Sequence, residues 1–231
     1  MMSITPKRSI QTRTYWHAAV SLFVFAIHLT LGTAFSVASE TKPIHIVAFG
    51  DSLTAGYQLP PADAFPVQLE RALKARGHNV KISNAGVSGD TTRGGLERFD
   101  WAVPQDTDAV ILELGANDAL RGIAPEVTKQ NLTGILKKLD AKKVPVLLAG
   151  MRALANWGNE YAQKFNVIYP DLAKAHNAIL YPFFMEGVID KPELKLSDAL
   201  HPNTKGVELI VQQILPDVEK LIARVKQQRT Q

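Results

Sequence analysis

The sequence predicts an α/β protein, a three-layer α/β/α sandwich around a mainly parallel five-stranded sheet. Two observations carry this expectation. Strand-like and helix-like segments alternate from residue 44 onward, and parallel strands need such crossovers, with helices covering both faces of the sheet. The segment AVILEL, residues 109–114, has the continuous apolar character of a strand buried on both sides.

Taken in order, residues 44–49 are a β-branched and apolar run that reads as the first strand. Asp63 is expected to cap a helix reaching about residue 76, with Phe65, Leu69, Ala72 and Leu73 along one side and Gly77 ending it. Residues 80–83 form a short second strand, and residues 92–100 a short helix. After the third strand, Pro125 suits the first turn of a helix whose Leu132, Ile135, Leu136 and Leu139 recur at i, i+3, i+4 and i+7. Residues 144–149 are the fourth strand, 159–176 a helix and 179–181 a short fifth strand. The last helix carries Val207, Ile210, Val211 and Ile214, and Pro216 is expected to break or kink it before Val218, Leu221, Ile222 and Val225 continue the pattern.

The chain has 231 residues, 46% of them hydrophobic, which suffices for one substantial core. Its first 38 residues differ from the rest. Lys7, Arg8 and Arg13 precede a mostly apolar stretch over residues 18–31, and Ser36, Val37 and Ala38 offer the small residues that a signal peptidase reads. Residues 1–38 are therefore expected to be a cleaved signal peptide and residues 39–231 a single periplasmic or secreted domain. An uncleaved anchor is the alternative, which Ser21, His28, Thr30 and Thr33 weaken. No stable membrane span is expected after cleavage. Cysteine is absent, so there is neither a lipoprotein attachment site nor a disulfide framework. Three of the 26 basic residues and none of the 22 acidic ones lie in the leader, which leaves 23 against 22. That balance gives no reason to infer a nucleic-acid partner.

In such a sheet, ligands bind beyond the C-terminal ends of the strands. GDSLTAGY, residues 50–57, follows the first strand; NAGVSGDTT, residues 84–92, the second; and GAND, residues 115–118, the third. DALHPN, residues 198–203, lies in a loop before the last helix. Each motif has an ordinary explanation. Asp51 or Ser52 can simply cap a helix, Gly89-Asp90-Thr91 and Asn117-Asp118 can be turns, and His201 a surface histidine before a proline. Their joint placement at successive strand ends favours a site.

The chemistry gives each part a role. A serine hydroxyl is a weak nucleophile until an imidazole takes its proton. Ser52 and His201 can form that pair, with Asp198 holding the other ring nitrogen. Attack on a carbonyl creates an oxyanion that needs preorganised donors. The backbone N–H groups of Ser52 and Gly89 and the side-chain amide of Asn117 suit that work. Leu120, Ile123, Leu154, Phe183, Phe184 and Met185 are candidates to line an acyl groove, or else belong to the core.

The ordered set GDSL, SGD, GAND and DxxHPN resembles the GDSL, or SGNH, hydrolases, across nearly the whole chain after the leader. The look is nearest to the bacterial secreted thioesterase/lysophospholipase and arylesterase group, and YPFFMEGV, residues 181–188, shares it. The resemblance implies a flavodoxin-like sheet order, Ser52 as nucleophile, Gly89 and Asn117 completing the oxyanion hole, and Asp198 with His201 finishing the triad. It further implies fatty-acyl esters and thioesters, lysophospholipids and aryl esters as small-molecule substrates; the acyl-enzyme chemistry itself calls for no cofactor. The segment MRALANWG, residues 151–158, resembles a substrate-side loop of that group but carries Ala153-Leu154 where a Leu-Pro-like pair is usual.

Two competing classes are a metal-dependent phosphoesterase and a non-catalytic ligand-binding module. Asp51, Asp90 and Asp118 with His201 suggest a two-metal site, but His45, His78 and His176 fall in a strand, a turn and a helix end, so no metal is expected. Ser88 in GVSGD is not a nucleophile elbow, because Asp90 stands where that motif needs glycine.

Overall fold

In the computed structural model, residues 1–3 and 42–231 are described, Leu154 excepted. The predicted leader thus lies outside the described residues, apart from its first three. Lys42–Gln231 forms one compact unit.

Among the described residues five strands make one sheet: β1 Ile44–Gly50, β2 Val80–Gly86, β3 Ala109–Glu113, β4 Val146–Ala149 and β5 Ile179–Tyr181. Every pairing is parallel and the order is β2-β1-β3-β4-β5. This is the flavodoxin-like order, whose direction of winding reverses between β1 and β3 and opens a crevice there. β3 and β4 are buried throughout, as are all of β1 but His45, whereas the edge strand β2 is largely half-exposed or exposed. The apolar runs of the sequence are therefore the strands covered on both faces.

The described residues also form eight helices: α1 Ser52–Ala55, α2 Phe65–Ala75, α3 Thr92–Ala102, α4 Ala116–Leu120, α5 Pro125–Ala141, α6 Asn159–Asn166, α7 Ile168–Ala175 and α8 Thr204–Arg229. α2 packs with α8 to form one outer layer, and α3, α5 and α7 pack in succession to form the other. The predicted stripe Leu132, Ile135, Leu136 and Leu139 is the buried side of α5, and Leu69 and Leu73 that of α2.

Four local expectations need correction. Asp63 does not cap α2; Pro61–Asp63 is a separate 3₁₀ turn, and the helix starts at Phe65 after Ala64, with a proline in its first turn. The Asp63 carboxylate instead accepts the Thr204 hydroxyl at 3.1 Å, which ties this turn to α8. The expected helix over 159–176 is two helices that meet at Val167. β4 begins at Val146, and β3 ends at Glu113, both inside the predicted runs. Finally, Pro216 interrupts nothing: α8 runs through it for 26 residues. Pro216 and Gln212, whose carbonyl loses its helical partner, are both on the exposed side, where solvent access lowers the cost of the missing bond.

The register levels the C-terminal ends of the strands. Gly50 pairs with Gly86 on one side and with Glu113 on the other, and Glu113 pairs with Ala149. The loops after β1, β2 and β3 thus leave the sheet at one rim. Gly50 is required here, because a Cβ would meet the Thr54 hydroxyl at 2.1 Å, a Glu113 carboxyl oxygen at 2.5 Å and the Glu113 carbonyl at 2.6 Å. Gly50→Ala is expected to cost about 3 kcal/mol or more of stability, read by urea unfolding; a loss below ~0.5 kcal/mol would mean the turn can relax. At the opposite rim, Arg229 ends α8 by donating to the Lys42 carbonyl at 3.0 Å and to the Asp108 carboxylate at 2.7 Å.

Candidate active site

After Gly50, Asp51 turns the chain into α1. Its Oδ1 accepts the Leu53 N–H at 3.0 Å, so the capping role belongs to Asp51. Ser52 becomes the first helical residue, 8% exposed, and no group among the described residues accepts from its backbone N–H.

The DALHPN segment folds into a tight loop that carries two of the predicted groups. Leu196 N–H donates to the His201 carbonyl at 2.8 Å, Lys195 and Pro202 form a bridge, and Ala199 adopts a left-handed conformation with φ of 58°. Asp198 Oδ1 accepts the N–H groups of Leu200 and His201 at 2.9 and 3.0 Å, which fixes the carboxylate relative to the backbone that bears the ring. Its Oδ2 lies 2.6 Å from His201 Nδ1, and His201 Nε2 lies 2.9 Å from Ser52 Oγ. Asn203 then caps α8, its Oδ1 accepting the Gly206 N–H at 3.0 Å. The Tyr57 ring lies against the imidazole at a centroid distance of 4.5 Å and a tilt of 38°, limiting ring rotation.

Burial acts to raise the Asp198 carboxyl, but the Leu200 and His201 N–H groups and the His201 ring outweigh it and hold it down to about 2. It is therefore an anion at any pH near neutral. Its contribution to stability is present above the normal aspartate range and fades as pH falls toward 2. A carboxylate on Nδ1 favours the tautomer that carries hydrogen there and leaves Nε2 free to accept the serine proton.

Gly89 and Asn117 reach the same place from β2 and β3. Gly89 has φ of 84°, a conformation that glycine adopts without strain. Its carbonyl accepts Arg121 Nη2 at 2.9 Å. Gly115, with φ of 116°, sets the start of α4, and Asn117 Nδ2 donates to Asp51 Oδ2 at 3.1 Å. The remaining acidic residues of the motifs are structural. Asp118 is fully buried and accepts the hydroxyls of Thr92 and Thr128, and Asp90 pairs with Arg98. Each carboxylate of the suggested two-metal set thus has a protein partner, and among the described residues no three His, Asp or Glu side chains converge as ligands.

A cavity of about 170 Å³ opens onto these groups, lined by Ser52, Gly89, Asn117 and His201 together with Leu53, Tyr57, Ser88, Ala116, Leu120 and Leu200. A second cavity of about 70 Å³ shares Ala116, Leu120 and Leu200 with it and extends past Met151, Phe183 and Ile189. A larger hollow of about 450 Å³ lies at the far rim, around the start of β4, and contains none of the predicted site residues.

Of the candidate acyl-groove residues, the apolar recess is lined by Leu120 and Phe183. Ile123 does not line it: the chain turns at Gly122, with φ of 64°, and the Ile123 carbonyl binds the Tyr161 hydroxyl at 2.8 Å outside both cavities. Phe184 and Met185 are core residues, Phe184 packing edge-on against Phe65 at 5.0 Å. Leu154 lies outside the described residues. Sequence reasoning gave no site role to Tyr57, Ile189 or Leu200, and it placed Met151 only as the first residue of the loop 151–158. Leu200 was findable, since it sits between two members of the proposed triad; Ile189 carried no local signal.

The groups gathered at the rim can carry out acyl transfer, and the comparisons with known proteins show a hydrolase of carboxylic esters. The chain belongs to the GDSL-like lipase/acylhydrolase family, whose model matches residues 48–209. It is 37% identical over 195 residues to an arylesterase of Vibrio mimicus, covering 84% of this chain and 97% of that protein. It is 36% identical over 208 residues to the thioesterase 1/protease 1/lysophospholipase L1 of Escherichia coli K12, covering 90% of this chain and 94% of that protein. The crystal structure of the SGNH-hydrolase family esterase AlinE4 matches with a TM-score of 0.67 at 46% identity, covering 79% of this chain and 98% of that one.

Proposed function

We propose that the protein is exported and hydrolyses acyl esters through an acyl-enzyme on Ser52, with His201 as base and Asp198 as its anchor. The observation that carries this reading is the continuous relay Ser52 Oγ, His201 Nε2 at 2.9 Å, and His201 Nδ1 to Asp198 Oδ2 at 2.6 Å. Nε2 takes the hydroxyl proton as Oγ bonds to the carbonyl carbon, and the carbonyl π electrons become the oxyanion. Collapse breaks the bond to the leaving alcohol or thiol, which departs with the proton from Nε2. Water then repeats the sequence on the acyl-serine, releasing the carboxylic acid and restoring the serine.

The Ser52 and Gly89 N–H groups and the second N–H of Asn117 are the proposed oxyanion donors. Asn117→Ala is expected to lower kcat about 10²-fold or more with a smaller change in KM. If KM alone moved, Asn117 would be a substrate-binding residue.

The apolar recess beyond Leu120 and Leu200 suits an acyl chain, and the names of the relatives support aryl esters, acyl thioesters and lysophospholipids as substrates. A panel of p-nitrophenyl esters, acyl-CoAs and lysophospholipids of graded chain length separates these. No turnover of any activated short-chain ester would overturn the reading. Export rests on the basic, apolar and small-residue order of residues 1–38. N-terminal sequencing of secreted protein should begin at Ser39, and a chain still starting at Met1 would refute cleavage. Among the described residues no helix is long and apolar enough to cross a membrane.

A further inference from the structure

Directly behind the proposed oxyanion donors lies a pair of acids that the acyl-transfer scheme leaves unused. Asp51 and Glu113 are both fully buried, one opening α1 and the other closing β3. Glu113 Oε2 accepts the Asp51 N–H at 3.2 Å and the Thr54 hydroxyl at 2.7 Å, while Oε1 has no partner. Asp51 in turn spends both oxygens, Oδ1 on the Leu53 N–H and Oδ2 on Asn117 Nδ2. The missing side chain at Gly50 is what lets Glu113 sit there.

We propose that Glu113 is a positioning residue that holds a proton, so that its neighbour Asp51 stays ionised and keeps the Asn117 amide turned toward the oxyanion. The proposal rests on the acyl-transfer reading above and assigns to it a group behind the site.

The reasoning is one of donors and acceptors. An ionised carboxylate can only accept, so Asn117 must present its NH₂ group to Asp51 and not its carbonyl. One N–H is then bound and the other is left for the substrate oxygen. A protonated Asp51 would accept either face of the amide, and a flipped Asn117 would aim a carbonyl at the developing negative charge. Two bare carboxylates side by side in a dry interior are strongly unfavourable, so the pair must hold a proton near neutral pH. Glu113 is the member to carry it: its Oε1 has no other partner, and its protonated carboxyl can donate to the facing Asp51 carboxylate.

The surrounding charges do not remove the need for that proton. Arg98, which donates to the Gly50 carbonyl, is already paired with Asp90. Tyr169 donates its hydroxyl to the Leu114 carbonyl and is itself raised by burial and then by the charges of Asp118, Glu113 and Asp51. His201 faces Asp51 from the site side. Burial, followed by the Asp51 charge, pushes Glu113 well above the usual range, whereas burial raises Asp51 only to about 6, opposed by the Leu53 N–H, the Asn117 amide, His201 and a hydrogen bond with the Glu113 carboxyl.

Glu113→Gln and Glu113→Ala test the idea together. Glutamine is neutral and isosteric, and can still accept from Asp51 and Thr54; E113Q should retain kcat within ~3-fold, whereas E113A should lose about 10- to 100-fold in kcat at nearly constant KM. Because Glu113 acts through Asn117, adding E113A to Asn117→Ala should cost little beyond N117A alone. Infrared spectra of the wild-type protein at pH 8 should contain a buried protonated-carboxyl C=O band that E113Q lacks. Folded E113A with wild-type kcat, independent multiplication of the two losses, or absence of that band would each overturn the proposal. If E113A does not fold, E113Q and the infrared band decide. The band is read without turnover, so its failure is distinct from failure of the esterase reading, which Ser52→Ala probes separately.

Discussion

Ser52→Ala is expected to lower ester hydrolysis about 10⁶-fold, the scale seen when a serine hydrolase loses the oxygen that forms its acyl bond. The oxyanion donors and the apolar recess survive the change, so substrate or product affinity should persist while turnover disappears. Stopped-flow hydrolysis of an activated p-nitrophenyl ester is the check. Where deacylation is the slower step, the parent protein releases a burst of about one phenol per molecule and the variant none. A burst of unchanged size would mean that another group is acylated. Since hydroxyl and imidazole are a hydrogen-bonded unit at 2.9 Å, adding His201→Ala to Ser52→Ala should cost almost nothing further.

The next largest effect is expected from Asp198→Asn, at about 10²- to 10⁴-fold in kcat. An amide facing Nδ1 can present N–H as well as carbonyl, which removes the preference for the productive tautomer. The upper end of that range applies to a carboxylate enclosed by protein. Asp198 is 34% exposed at its side chain, so water shares its role and the loss should fall toward the lower end. Because the carboxyl is held near 2, it stays ionised throughout the range above about pH 5, so any pH dependence of the deficit there reports on another group. Retention of full activity by D198N would leave His201 oriented mainly by its own loop and by Tyr57.

Most of the sheet was legible because β1, β3 and β4 are buried on both faces, and only continuous apolar runs satisfy that environment. Three of the four motifs were legible for a related reason: each follows a strand end, and the register brings those ends level, whereas DALHPN lies in a loop before the last helix. What failed was context that one segment cannot encode. Asp63 has the composition of a cap, yet its carboxylate meets Thr204, 141 residues away. Pro216 has the composition of a break, yet it sits on the wet side of a helix whose other side is fixed by the core. The apolar residues near the site were hardest to sort. Nothing local distinguishes Phe183, which borders the recess, from its neighbour Phe184, which is turned into the core against Phe65.

The clasp between Arg229 and the start of β1 has a practical consequence. Lys42 and the C-terminal end of α8 lie side by side beneath the sheet, at the end of the strands remote from Ser52 and His201. A linker fused after Gln231 would anchor the enzyme to a bead or an electrode by its base, with the reactive crevice directed outward and free to exchange substrate.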